Sequence, residues 1–228
     1  MPILGTSASL NARAFGFIYS GESQQLIIGQ PYQGGFFAGY ISHTENGVPT
    51  HGLIVAPRAS GYNGIGRFPL QWKTSNTPTA GTTSSFDGAI NSSNMNNAIH
   101  PAAQYCEGLT IGGYNDWYLP ARYELDIAYQ NLKPGIANNS TSWGINPYSV
   151  PKRTVNRTAG VPAQTSLTSF QYGADFEGEE SFIVATHWSS SQFDTSFAWL
   201  LNFSNGDHLN NFGKNTNNYV RAFRKFAL

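Results

Sequence analysis

The chain holds a single cysteine, Cys106, among its 228 residues. That excludes an intrachain disulfide framework and any Cys-x-x-Cys metal knuckle. Charge is nearly as scarce: Lys, Arg, Asp and Glu make up 11% of the sequence, and 13 basic residues balance 13 acidic ones. Such a balance suits neither capture of nucleic acid nor attraction to an anionic membrane surface. No run approaches the roughly 18 apolar residues of a membrane-spanning helix. The opening MPILGTSASL has neither a basic head nor a continuous apolar stretch, so it does not read as a secretory leader.

Catalytic signatures are missing too. There is no His-Glu-x-x-His, no Gly-x-Ser-x-Gly, no P-loop and no Gly-x-Gly-x-x-Gly after a strand. His43, His51, His100, His187 and His208 stand apart from cysteines and carboxylates at ligand spacing, which argues against a zinc site. Ser166, Ser189 and Ser190 have no evident base beside them. Cys106 falls on the apolar side of a predicted helix, where a thiol behaves as a small hydrophobe. The expectation is a protein without enzymatic activity.

What the chain does contain is glycine (24 residues), aromatics (14%) and abundant Asn, Ser and Thr. That mixture suits a loop-rich β protein with an aromatic core, or a subunit partly covered by neighbours. Residues 1–30 differ from the rest in their small residues and low aromatic density, and read either as a docking segment or as a loose terminus. Residues 31–228 read as one domain. Phe36–Ile41 and Leu53–Ala56, separated by Glu45-Asn46-Gly47-Val48-Pro49, predict a hairpin, and Leu70–Trp72 another short strand. Residues 73–93 are small and polar and read as a surface loop. A helix is predicted over Asn94–Leu109, with His100-Pro101 as a dividing point. A second begins after Leu119-Pro120, with Pro120 placed at its first turn and an apolar stripe formed by Leu125, Ala128, Tyr129 and Leu132 at i, i+3, i+4 and i+7. Near the C-terminus, Phe182–Val184, Phe197–Phe203 and Tyr219–Phe223 read as strands, with a tight turn at Asn205-Gly206.

Two motifs carry a family resemblance. The first is Gly112-Gly113-Tyr114-Asn115-Asp116-Trp117-Tyr118-Leu119-Pro120, followed by Glu124-Leu125. The second is Trp188-Ser189-Ser190, then Ala198-Trp199-Leu200-Leu201-Asn202-Phe203-Ser204-Asn205-Gly206, closing on Val220-Arg221-Ala222-Phe223-Arg224. Together they resemble the signature of the Lcl C-terminal-like family, found in bacterial adhesins and phage tail proteins, over about Gly34 to Phe226. The resemblance implies an α+β, C-type-lectin-like fold: two helices on a twisted antiparallel sheet, rich in loops. It implies structural roles for Trp117, Leu119, Pro120, Glu124, Leu125, Trp188, Trp199, Arg221 and Arg224, with the tryptophans in the core. Residues 135–181 are a long insertion that the signature does not describe. The leader Pro2-Ile3-Leu4-Gly5-Thr6-Ser7-Ala8-Ser9 resembles the start of many tailed-phage structural proteins.

From Gln192 to Asn218 the sequence is rich in amides and aromatics: Gln192, Phe193, Asp194, Asn205, Asp207, His208, Asn210, Asn211, Phe212, Asn215, Asn217 and Asn218. Amides supply donors and an acceptor without net charge, and rings supply apolar area at low entropic cost, a mixture suited to sugars. Those residues are the predicted ligand-binding set. Asp175, Glu177, Glu179 and Glu180 read as a solvated acidic turn whose clustered oxygens would suit calcium. The combined expectation is a bacteriophage tail-fibre or tail-tip adhesin. It would join other virion proteins through its N-terminal segment and touch a host-surface glycan through its C-terminal loops. By family analogy it would be a homo-oligomer, a trimer, with no nucleic-acid or membrane partner. The alternatives are a structural virion subunit that decorates a capsid or builds a tail, and a bacterial surface adhesin.

Overall fold

A computed structural model describes residues 26–62, 69–173 and 177–228. Most of the predicted docking segment, and Asp175 of the acidic run, lie outside those residues. Pro31–Tyr32 (β1), Gly35–Ile41 (β2) and His51–Val55 (β3) open the chain, followed by one helical turn at Arg58–Gly61 (α1) and by Leu70–Gln71 (β4). Helices Gly88–Ser93 (α2), Pro101–Glu107 (α3) and Arg122–Leu132 (α4) come next. Ser149–Val150 (β5), Thr186–Gln192 (β6), Ala198–Asn202 (β7), Asp207–Leu209 (β8), Asn217–Asn218 (β9) and Phe223–Ala227 (β10) complete the order. The fold is a loop-rich α+β one, with four short helices among the described residues rather than two.

The predicted hairpin is the centre of the main antiparallel sheet, ordered β1-β2-β3-β10, with β1 pairing the start of β2 and β5 its end at Tyr40 and Ile41. Strand β10 pairs with β3 from Phe223↔Val55 to Ala227↔His51, so the C-terminal end closes the sheet begun by the N-terminal hairpin. Helix α4 crosses β2 closely. Gly39 stands at φ +138° where an added Cβ would lie 2.6 Å from Asn131 Nδ2 and 2.8 Å from an Ile127 methyl. Asn131 Nδ2 donates to the Ala38 carbonyl at 2.8 Å, taking up a backbone acceptor freed by the bulge between Phe37 and Gly39. The Leu125, Ala128, Tyr129 and Leu132 stripe packs with Ala38, Ile41, Leu53 and Phe223 in one core cluster. A second cluster gathers Phe37, Ile54, Trp72, Trp117, Trp188 and Leu200.

The family motifs turn out to be mutual fasteners. Arg224 makes a two-pronged ion pair with Asp116, Nε to Oδ1 at 2.7 Å and Nη2 to Oδ2 at 2.8 Å, so the first motif is pinned to the last strand. Tyr118 and Phe223 exchange backbone hydrogen bonds at 2.7 and 2.9 Å. Buried Glu124 accepts from the Ala121 and Gly88 amides and from Tyr118 Oη, fixing the starts of α4 and α2 together. Burial raises its pKa to about 8. Trp117 Nε1 donates to the Tyr114 carbonyl and Trp188 Nε1 to the Leu70 carbonyl. Arg221, fully enclosed, donates to the carbonyls of Ala56 and Glu180 and to the Glu180 carboxylate.

Several sequence expectations are corrected. The helix predicted over Asn94–Leu109 is confined to Pro101–Glu107, since Pro101 starts it and residues 94–100 form turns. The predicted loop 73–93 contains α2, capped by Asp87 Oδ1 on the Ile90 amide. Pro120 precedes α4 rather than occupying its first turn, and Ala121 is the N-cap. Phe182–Val184 is not a strand: Phe182 turns inward and stacks on Phe203, ring centroids 4.0 Å apart. The strand begins at Thr186 and is built from Thr-His-Trp-Ser-Ser-Ser-Gln. Its serines are buried because each hydroxyl has a partner: Ser189 on the Trp199 carbonyl, Ser190 with Asn91, Ser191 on the Ser84 carbonyl. The closing strand is shifted from Tyr219–Phe223 to Phe223–Ala227.

Candidate functional site

Helix α4 carries one residue that organises the neighbouring surface. Asp126 is buried, and its carboxylate accepts from four sides. Arg153 and Arg157 form ion pairs with it, Asn146 Nδ2 donates at 2.9 Å, and His208 Nε2 at 3.0 Å. Arg153, Arg157 and Asn146 all belong to the 135–181 insertion, so this carboxylate straps the insertion across α4. His208 Nδ1 accepts from Arg122 Nε at 2.9 Å, which places the imidazole proton on Nε2 facing Asp126. Burial first, then the charges of Arg122, Arg157 and Arg153, hold the His208 pKa far below its ordinary value, so the ring is neutral at pH 7.

Above this chain of polar groups lies an aromatic shelf. The Arg122 guanidinium sits 3.8 Å over the Trp199 ring and 5.0 and 5.1 Å from those of Trp143 and Tyr123. Trp143 meets Trp199 edge to face at 6.0 Å and tilts against His208 at 5.1 Å. Phe193, 47% exposed, meets Trp199 edge-on at 5.0 Å. Trp199 and Trp143 are half-buried, presenting ring surface to solvent while their positions are set from below. The shelf thus offers flat apolar faces and a guanidinium whose orientation is fixed by His208 and, through it, by Asp126. Apolar faces beside oriented donors suit a saccharide ring.

The predicted binding residues divide. Phe193 is on the shelf, and Asp194, Asn211, Asn215 and Asn217 are exposed. Asp194 Oδ1 nevertheless caps the β6–β7 turn through the Ser196 and Phe197 amides, and Asn205 Oδ1 does the same for Asp207 in the β7–β8 turn. Asn210, Asp207 and Phe212 are half-buried, Phe212 against the second core cluster. Three residues face inward. Gln192 Oε1 accepts from Lys214 Nζ and the Thr79 amide, Asn218 Oδ1 accepts from Thr186 Oγ1, and His208 is the buried support just described. Burial with satisfied partners removes Asn218 and His208 from any contact surface, while half-buried Gln192 has its amide oxygen engaged inside. Trp199, expected in the core, is the reverse correction: it lies at the surface because β7 turns its Ala198 and Leu200 neighbours inward. Arg122, Tyr123 and Trp143 were not foreseen. Trp143 alone could have been flagged, as an aromatic in a polar insertion.

Beneath the Phe193 turn, Lys214 is fully buried yet meets only neutral oxygens: Thr77 O, Gln192 Oε1, Asp194 O and Thr195 O at 2.7–3.1 Å. Burial and nearby Lys73 bring its pKa down to about 8. The acidic run is also reassigned. Glu177 pairs with Arg58 from an exposed position, whereas Glu180 is drawn inward, receiving Arg221 and the Arg58 amide, so this carboxylate serves a buried guanidinium group. Glu179 is exposed. Among the described residues no group of three or more His, Cys, Asp or Glu side chains is placed to hold a metal ion. No helix among them is long and apolar enough to cross a membrane.

Comparison with known proteins agrees with the motifs. The Lcl C-terminal domain model matches residues 67–224, most of the chain, and the protein belongs to that family. The match ends at Arg224, the residue that locks β10 onto Asp116. No curated protein matches the chain.

Proposed function

We propose that this is a non-enzymatic bacteriophage virion protein, a tail-fibre or tail-tip adhesin that holds a host-surface glycan on the Trp143–Trp199–Phe193 shelf. The observation that carries the reading is the shelf itself: aromatic faces at the surface, with Arg122 fixed over them by a buried His208–Asp126–arginine chain. A recognition surface gains affinity when its groups are ordered before the ligand arrives, and a buried network is a means of ordering them. The exposed Asn211, Asn215 and Asn217 add uncharged donors and acceptors on nearby loops. The phage-like leader and the family's presence in phage tail proteins favour the virion setting. Shallow sites of this kind bind weakly one at a time, so avidity from a homo-oligomer, a trimer by family analogy, completes the picture.

The test is binding of labelled protein to host cells and immobilised host polysaccharide. Trp199→Ala and Trp143→Ala should each weaken binding roughly tenfold or more, the loss of one stacking face, with circular dichroism unchanged. Saturable binding that survives both substitutions would remove the shelf from the reading. A second reading, a structural virion subunit without a receptor, is favoured by Ile136 and Val155, which are 84% and 73% exposed on the insertion and suit packing against a neighbour. It predicts binding to the virion and none to cells.

A further inference from the structure

A groove of about 350 Å³ runs between α4 and the 152–158 segment of the insertion, apart from the shelf. Its lining includes Lys152, Arg153, Val155, Arg157 and Val161, and no carboxylate. Behind it, Arg153 and Arg157 share the single carboxylate of Asp126, while His208 on the same carboxylate is neutral. Next to them Lys133, also buried, meets only the carbonyls of Ala137 and Pro162. Positive charge therefore exceeds negative charge here, in a chain whose total is zero.

The guanidinium groups are also incompletely satisfied. Nε of Arg153 and Nε of Arg157 have no hydrogen-bond partner among the described residues, and Arg157 is only 6% exposed. A buried donor of this kind without a partner is costly, more so when it is charged. Burial and the neighbouring Arg157 lower the Arg153 pKa to about 9, and burial lowers that of Arg157 to about 10. Two exposed apolar side chains, Val155 at 73% and Val161 at 61%, stand on the same rim.

We propose that this groove binds a carboxylate carried on a carbon skeleton, with Lys152, Arg153 and Arg157 facing the carboxylate and Val155 and Val161 flanking the carbon body. Arg153 Nη1 donates to Gln130 Oε1 and Arg157 Nη1 to the Gly206 carbonyl, so the Nε–H groups are the donors left over, and an incoming carboxylate would supply the charge and the acceptors that Asp126 alone does not. The apolar rim favours an organic acid over a bare inorganic ion. Resting on the glycan reading, the ligand class is an acidic saccharide of the uronate kind. The groove reaches Gly144, next in sequence to Trp143 of the shelf, and the Arg157 amide donates to the Trp143 carbonyl at 2.8 Å.

The experiment is titration of the intact chain with glucuronate and, separately, glucose, at ionic strength held constant with sodium chloride, followed by calorimetry and thermal melting. Glucuronate is expected to bind and raise the melting temperature, and glucose is not. Lys152→Glu, at an exposed residue whose hydrogen bond is to the Glu45 carbonyl, should fold as wild type and weaken glucuronate binding about tenfold or more, by setting a carboxylate in the groove. Arg153→Gln should weaken it as well, and Trp199→Ala should leave it unchanged. An equal response to glucose and glucuronate, or glucuronate binding untouched by both groove substitutions, overturns the proposal. Glucuronate binding without any binding to host polysaccharide would retire the shelf reading and leave the groove standing. Polysaccharide binding lost in Trp199→Ala, with no glucuronate response, would retire the groove alone.

Discussion

Acidification is expected to unfold this protein through histidines that are buried in the neutral form, and His187 allows the magnitude to be worked out. Its Nδ1–H donates to the Ala185 carbonyl at 3.0 Å, leaving Nε2 to accept from Tyr62 Oη at 2.8 Å. The ring is enclosed among Tyr62, Phe182 and Phe203, with Arg221 nearby. Burial, with Arg221 reinforcing it, takes the pKa to about 3. In the unfolded chain the same ring titrates near 6.5, so below that pH the unfolded state takes up a proton that the native state refuses. Stability must therefore fall as pH falls. From pH 7 to pH 5 the loss from this one residue is about 1.9 kcal/mol. Glu124 works in the opposite sense. Its raised pKa means the native state already holds a proton that the unfolded state lacks, so acidification over this range favours folding. The difference between wild type and His187→Gln isolates the histidine. Urea unfolding at both pH values should show the wild type losing about 1.9 kcal/mol more than the variant between them. Equal losses would show that His187 becomes charged in the native state, and would refute the reasoning.

Asp126→Asn leaves Arg153 and Arg157 without their shared carboxylate, and should cost about 3–5 kcal/mol in urea unfolding. The same substitution should loosen Arg122 through His208 and weaken polysaccharide binding in any fraction that stays folded. Lys214→Met strands four part-buried oxygens beneath the Phe193 turn and should cost roughly 3 kcal/mol, with faster hydrogen exchange in residues 192–197 as a local readout. Gly39→Ala forces a side chain into positive φ against Asn131 and should lower stability by about 2 kcal/mol or more, since strain and overpacking act together. A melting temperature unchanged from wild type would mean that α4 and β2 can separate without penalty.

The α+β class, the β2–β3 hairpin, helix α4 and family membership were legible in the chain because each depends on neighbours in sequence. Alternating apolar runs, a stripe at helical spacing and contiguous signature residues need no knowledge of distant partners. Asn205-Gly206 was likewise local: Gly206 takes φ +71° against the Tyr129 ring. What failed did so where distant groups supplied the missing energy. Thr186–Gln192 has the composition of a loop, and becomes a strand because hydroxyl partners from residues 84, 91 and 199 satisfy its serines. His208 read as a surface residue and became interior because Arg122, from helix α4, and Asp126 complete its hydrogen bonds. Glu180 read as solvated and became an anchor because Arg221 needed a carboxylate. The shelf itself joins Arg122, Trp143 and Trp199 from a helix, an insertion and a strand, and no spacing rule links them. The sequence alone determined the elements whose apolar pattern is local, the β2–β3 hairpin and helix α4. Only the tertiary structure decided which polar groups would be buried together, and hence which aromatic faces were left at the surface, because a buried charge or donor is tolerated only where the fold delivers its partner.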